Sequence, residues 1–294
     1  MTDASSSTNV RRRQGLWILA MVILCWSGIV VWLRTMTEKV GPQDFVSAEA
    51  IGLAVAGTLW CLLVPGHTMK VAPKNYPGIL AVALTTSFAA LYLWFEGFRR
   101  TSTVTATFLG HTQIVFIALL GAWRLGERMK KGEMAGAGLM ILSALLVSSR
   151  YLEDLWAMRF GNTGDLMVMG ATVLWAYGAV VSKQLMDRMK GAEILAWRGL
   201  ISSVAAVAVA HFMFGTWVYD HPFLLLYSGL VGVGFLGYYL ALERLQANEV
   251  ATWEIATPFA TMVLAYVFIG EEPTALQLLG GGVLGAGMWL FTRP

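Results

Sequence analysis

Apolar runs of about 20 residues, each closed by a short polar or turn-forming segment, recur along almost the whole 294-residue chain. A helix crossing the hydrocarbon needs about 20 mostly apolar residues, with roughly 17–25 allowed. The pattern predicts ten such helices, near 15–35, 45–64, 77–97, 103–123, 133–149, 164–186, 192–214, 223–243, 249–269 and 275–292. Gly41-Pro42, Pro65-Gly66, Pro77-Gly78, Pro222 and Pro273 stand at or near span ends, as turn formers should. The segment 1–14 is polar, with Ser5-Ser6-Ser7 before Arg11-Arg12-Arg13, and is expected as a disordered cytoplasmic tail. No small-residue cleavage site follows and the next apolar run is a full span, so the segment reads as retained rather than as a signal peptide.

Composition agrees with a membrane setting. Apolar residues make up 57% and charged residues 13%, against roughly 45–50% and about 25% in soluble domains. The segments between spans are too short for a large water-soluble domain. Cys25 and Cys61 both lie inside apolar spans and read as small buried hydrophobes, not as a disulfide or metal pair. The net charge of +3 gives no reason to expect a nucleic-acid partner; its distribution is the informative part. With the N-terminus in the cytoplasm, fourteen of the 21 Lys and Arg residues fall on the inner side and six on the outer side, with Arg198 inside a span. Positive charge collects on the cytoplasmic face of membrane proteins, so both termini are expected inside.

The chain also repeats itself. Leu125-Gly126-Glu127 closes one apolar span and Ile269-Gly270-Glu271 closes another, and at the same constant offset Gly136 falls on Gly280 and Gly138 on Gly282. At a slightly different offset Gly28, Val30, Val31 and Met36 fall on Gly178, Val180, Val181 and Met186. Five spans per half is an odd number, so the second half enters the membrane upside down relative to the first. Such inverted repeats mark transporters whose site lies where the halves meet. The expected architecture is an all-α polytopic membrane protein of ten transmembrane helices in two inverted five-helix repeats, 15–150 and 162–292.

These residues resemble the drug/metabolite transporter superfamily, and within it the EamA-type branch. The resemblance rests on the two Gly-Glu span ends with their Gly-rich following spans, on Pro258 in the ninth span, and on Arg198 early in the second span of its repeat. It covers roughly 15–292. It implies a central cavity lined by spans one, three, four, six, eight and nine, with five and ten packed outside. The halves differ: Gln113-Ile114 stands where the second half has Thr257-Pro258, and Glu49 stands near the first-half equivalent of Arg198. Gly132/Gly136 and Gly281/Gly285 are small-residue pairs that let helix backbones approach closely, either within the chain or between two chains of a homodimer.

Ionisable groups inside lipid are costly and usually mark a pathway. Glu254 lies beside Trp253, one turn before Pro258. A proline frees the carbonyl four residues earlier, so acid, aromatic ring and loosened backbone meet at one level. Glu96 ends the third span on the face of Tyr92 and either lines a cavity mouth or pairs with Arg99 or Arg100. His111 sits deep in the fourth span and either titrates in the pathway or hydrogen-bonds a nearby carbonyl. Glu49 and Arg198 either form a structural ion pair or hold separate helix ends. Trp26, Tyr177, Tyr92 and Tyr238 are candidates for a ring-lined pocket that suits flat, amphipathic or cationic solutes. Glu127 and Glu271, at span ends, are expected to cap or anchor the helix that follows.

No phosphate-binding loop, nucleophile elbow or metal-ligand spacing appears in the sequence, so neither an enzyme nor a cofactor is expected. The favoured reading is a secondary transporter, an exporter of small metabolites such as amino acids or amines across the inner or plasma membrane. Exchange of a proton for a cationic substrate at Glu254 would supply its driving force. A lipid translocase and a non-transporting membrane scaffold are the alternatives.

Overall fold

The computed structural model describes residues 2–292 except 38, 126–129, 150, 158–160 and 246. In chain order its α-helices are α1 (Thr2–Met36), α2 (Pro42–Leu63), α3 (Tyr76–Leu84), α4 (Ala90–Phe98), α5 (Thr103–His111), α6 (Gln113–Leu125) and α7 (Lys131–Ser149). The short α8 (Leu152–Trp156) leads to α9 (Thr163–Met186), α10 (Gly191–Phe214), α11 (Phe223–Leu242), α12 (Ala247–Glu254), α13 (Ala256–Ile269) and α14 (Ala275–Thr292). Among the described residues nine helical stretches are long and apolar enough to cross a membrane. The chain is an all-α, multi-pass membrane protein.

Two expectations change. The helix of the first span continues back through the polar segment 1–14, expected as disordered, and begins at Thr2. Contacts hold it there: Arg12 pairs with Glu249, and Arg11 donates to the Glu243 carbonyl at 3.0 Å. The segment 249–269, expected as one span, is two helices that meet at Ile255, and α13 alone is shorter than the nine.

Local chemistry explains most helix ends. Pro42 opens α2, where its missing N–H costs nothing. Asn162 and Asp165 form a reciprocal capping box at the start of α9, at 2.9 and 3.0 Å. Gly270 closes α13 in the left-handed region at φ 65°. Between α3 and α4, Thr85–Ala89 widens into a π turn. The hydroxyls of Thr85 and Thr86 donate to the carbonyls of Ala81 and Val82, at 2.6 and 2.5 Å. Trp175 Nε1 donates to the Thr86 carbonyl at 3.1 Å, so the irregular backbone is held by α9. A Cβ on Gly178 would stand 1.8 Å from Thr86 Cγ2, which is why α9 carries glycine there.

Packing alternates between the two halves of the chain. Helix α2 lies between α10 and α11, α1 against α11 and α13, α9 against α4, α5 and α6, and α7 against α14. Backbones touch where side chains are absent: Gly52 faces the Ser228 carbonyl, Gly199 faces Ala54, and Gly136 faces the Gly287 carbonyl. Ser143 Oγ adds a bond to the Gly280 carbonyl at 2.7 Å. Gly132 faces Leu290 of α14, while Gly281 and Gly285 face Phe259 of α13, so both small-residue pairs are seated within the chain.

Candidate functional site

The break at Ile255 builds the site around Glu254. Pro258 cannot donate to the carbonyl of residue 254, and α12 ends there before α13 restarts at Ala256. Ser27 of α1 ties into the restarted helix, its Oγ donating to the Thr257 carbonyl at 3.3 Å. Tyr238 of α11 packs in one cluster with Val250, one helical turn before the partly exposed Glu254 on α12. Tyr238 in turn packs on Trp26 of α1, with ring centroids 5.4 Å apart, and on Tyr239 at 6.2 Å. Trp26 also packs on Phe235 at 5.3 Å, and the Arg198 guanidinium lies over the Phe235 ring at 5.1 Å. Glu254, Tyr238 and Trp26, separated in sequence, therefore form one wall. Trp253, beside Glu254, makes none of these ring contacts and is 51% exposed.

Of the other predicted site residues, Tyr92 shares a packing cluster with Trp26 and Phe235, and the rest make contacts of their own. Tyr177 packs in a cluster with Ile79, Val82 and Val181, and Tyr92 packs against the main core that holds Phe95 and Phe98. Glu96 forms ion pairs with Arg99, at 3.5 Å, and with Arg100. His111 directs Nδ1 at the Thr107 carbonyl, 2.8 Å away, which makes that nitrogen the donor. Glu49 and Arg198 make no direct ion pair; Glu49 Oε2 accepts from the Tyr227 hydroxyl at 2.6 Å.

A second break has no proline to announce it. The fourth span is two helices, α5 and α6, that part at Thr112 without a proline. Thr112 donates to the Leu109 carbonyl through both Oγ1, at 2.7 Å, and its backbone N–H, at 3.1 Å, while His111 bonds the carbonyl of Thr107, so side chains add to the backbone bonds at the break. Glu271 is the other surprise. Its carboxylate accepts from the amides of Thr103 and Val104, at 3.2 and 3.1 Å, capping α5 rather than the helix that follows it. Helix α14 has its own cap in the reciprocal bonds of Thr274 and Gln277, at 2.8 and 3.3 Å. Gln277 Nε2 further donates to Ser102 and Thr105 of the α5 cap, at 3.1 and 2.9 Å. Arg34 donates to the carbonyls of Phe98 and Thr101 at the same end of the bundle, at 2.9 and 3.0 Å. A cavity of about 510 Å³ opens there, lined by Arg34, Arg99, Arg100, Ser102, Glu271 and Ile269, the last residue of α13; Glu254 is not part of its lining. Gly126 and Glu127, the first-half motif, lie outside the described residues.

Among the described residues no three His, Cys, Asp or Glu side chains are placed to hold a metal ion. Multi-pass helices with broken segments, and acid and aromatic groups gathered at one break, define a transporter-type membrane protein. Residues 13–149 and 162–293 each match the EamA-like transporter family, and the chain belongs to that family. Membership puts it among transporters of small metabolites and not among enzymes. It is 25% identical, over 95% of its length and 94% of the relative's, to the "probable terminal-alkyne amino-acid exporter" of Streptantibioticus cattleyicolor. It is 24% identical to the "probable amino-acid metabolite efflux pump" of Escherichia coli, over 93% of each chain. A solved crystal structure of another protein superposes with a TM-score of 0.66 over 95% of this chain and 97% of that one, at 19% identity, a likeness of fold.

Proposed function

We propose that the protein exports amino acids or related small amines across the inner or plasma membrane, by alternating access between two inverted five-helix halves. The observation that carries this reading is the wall at Ile255, where Glu254, Tyr238 and Trp26 offer a carboxylate and aromatic faces to a cationic group. The names borne by the two relatives point to the same substrate class. Helices α12 and α13 together form the ninth crossing, which makes ten spans with both termini cytoplasmic. The packing supports an inverted repeat: α1 meets α11 and α13 as α9 meets α4 and the α5–α6 pair. His111, Tyr92, Tyr177 and Glu96 belong to the surrounding route, and Pro258 supplies the hinge.

Glu254 also carries the driving force in this reading. One carboxyl cannot cheaply hold a proton and an ammonium together, so the two exchange. The test is purified protein in liposomes loaded with a labelled amino-acid mixture. Amino-acid efflux should appear with the wild type and accelerate when a proton gradient favours proton entry against it. Efflux at the rate of empty liposomes would end the transport reading for amino acids; efflux indifferent to the gradient would make the protein a facilitator.

A further inference from the structure

Arg198 stands at the opposite end of the aromatic wall from Glu254. It belongs to α10, next to Gly199, whose missing side chain seats α10 on α2 at Ala54. Its side chain is only partly exposed, and Nε is enclosed with no hydrogen-bond partner. An enclosed guanidinium donor without an acceptor is costly, and a ring face satisfies charge but not an N–H directed elsewhere. Phe235 provides such a face at 5.1 Å. Glu49 offers no such acceptor: one of its oxygens is engaged by the Tyr227 hydroxyl at 2.6 Å, and it forms no ion pair with the arginine. Arg198 therefore presents a planar fork of donors whose natural complement is a carboxylate.

The place of that fork gives it meaning. Phe235, beneath Arg198, packs on Trp26, and Trp26 packs on Tyr238, which shares a cluster with Val250, a turn before Glu254. Phe235 and Tyr238 are neighbours on one face of α11, a helical turn of roughly 5 Å apart. A guanidinium and a carboxylate thus bracket a short aromatic row, and a zwitterion with an apolar body carries the complementary charges. We infer that Arg198 anchors the carboxylate of the transported amino acid; this rests on the amino-acid reading above and adds the group that selects acids over plain amines.

Counterflow of a labelled amino-acid mixture in liposomes tests it, with L-phenylalanine, its methyl ester and phenethylamine as competitors. In the wild type the free acid should compete about tenfold better than the ester or the amine, the scale of one charge-assisted pair. Arg198→Gln should remove that preference, weakening the acid about tenfold and leaving the amine within about twofold. Arg198→Lys, which keeps the charge but loses the fork, should retain part of the preference. A preference intact in Arg198→Gln, or an equal loss for acid and amine, overturns the assignment. Should Arg198→Gln not fold, an unaltered preference in Arg198→Lys overturns it too. If the wild type moves no labelled amino acid, the substrate reading fails separately. The anchor is then judged by thermal stabilisation of the purified protein by 3-phenylpropionate, which Arg198→Gln or Arg198→Lys should weaken; no stabilisation of the wild type overturns it.

Discussion

At Ile255 the chain breaks because Pro258 has no N–H to give; at Thr112 it breaks with no proline nearby, and there a hydroxyl and an imidazole bond backbone carbonyls beside the break. The constant offset that aligns the two Gly-Glu motifs aligns these breaks to within one residue. Yet the chemistry gathered at each differs. The second-half break carries Glu254 on the helix whose Val250 packs with Tyr238, while its first-half counterpart carries Gly110 opposite Trp94, whose ring is 3.2 Å from where a Cβ would stand. A shared irregularity in the backbone has been fitted with an acid on one side and with packing on the other. Irregular backbone within the membrane is tolerated where protein surrounds it or where it lines a cavity.

The comparison breaks first at Glu254. Glu254→Gln should lower amino-acid efflux from liposomes by about tenfold or more, the effect of losing one charge contact to the substrate, with the unfolding temperature little changed. Normal efflux across pH would remove the functional half of the contrast. A proline transplant sharpens the backbone half. Residue 114 lies in the first turn of α6, where a proline needs no donor, so Ile114→Pro should fold, with a loss under about 1 kcal/mol. Ile117→Pro, one turn deeper, should cost about 3 kcal/mol or more; equal losses in thermal unfolding would mean that α5 and α6 are in effect one helix.

Smaller effects follow. Glu271→Ala uncovers the Thr103 and Val104 amides and should cost about 1–2 kcal/mol, seen as a lower unfolding temperature in detergent. Wild-type stability in that variant would deny that the second half anchors the first-half break. Thr112→Val removes one hydroxyl donor and should cost about 1 kcal/mol or less, with efflux retained; a large loss of efflux would give Thr112 a part in the route.

The spans were legible because lipid imposes a length and an apolar composition on every crossing, and residues such as Pro42 and Pro222 mark where they stop. The Ile255 break was legible through Pro258, whose missing donor is visible in the letter itself. The Thr112 break was not, since Thr, His and Gln are common within helices and act here only through the carbonyls they find. The π turn at Thr85–Ala89 escaped for a similar reason: its counterpart, Trp175, lies in another helix. Glu271 was rightly expected to cap a helix, but which one depended on packing between segments far apart in sequence. Of the proposed wall, Glu254 and Trp26 stood out as polar or aromatic within apolar runs, whereas the exposed side of Trp253 is a matter of helix rotation that the break resets.

Helix α2 touches α10 and α11 through glycine, with Gly57 against Ala196, Gly199 of α10 against Ala54, and Gly232 of α11 against the Gly52 carbonyl. Val55, Leu59, Leu62 and Leu63 of the same helix are exposed. A library of random substitutions would therefore sort α2 into two alphabets. Any of the bulky apolar letters should be interchangeable at 55, 59, 62 and 63, while 52 and 57 should accept no side chain at all. Over generations one stripe of this helix is free to drift and the other is frozen by the thickness of its neighbours' backbones, so that the slowest-changing positions in the bundle are ones with no chemistry of their own.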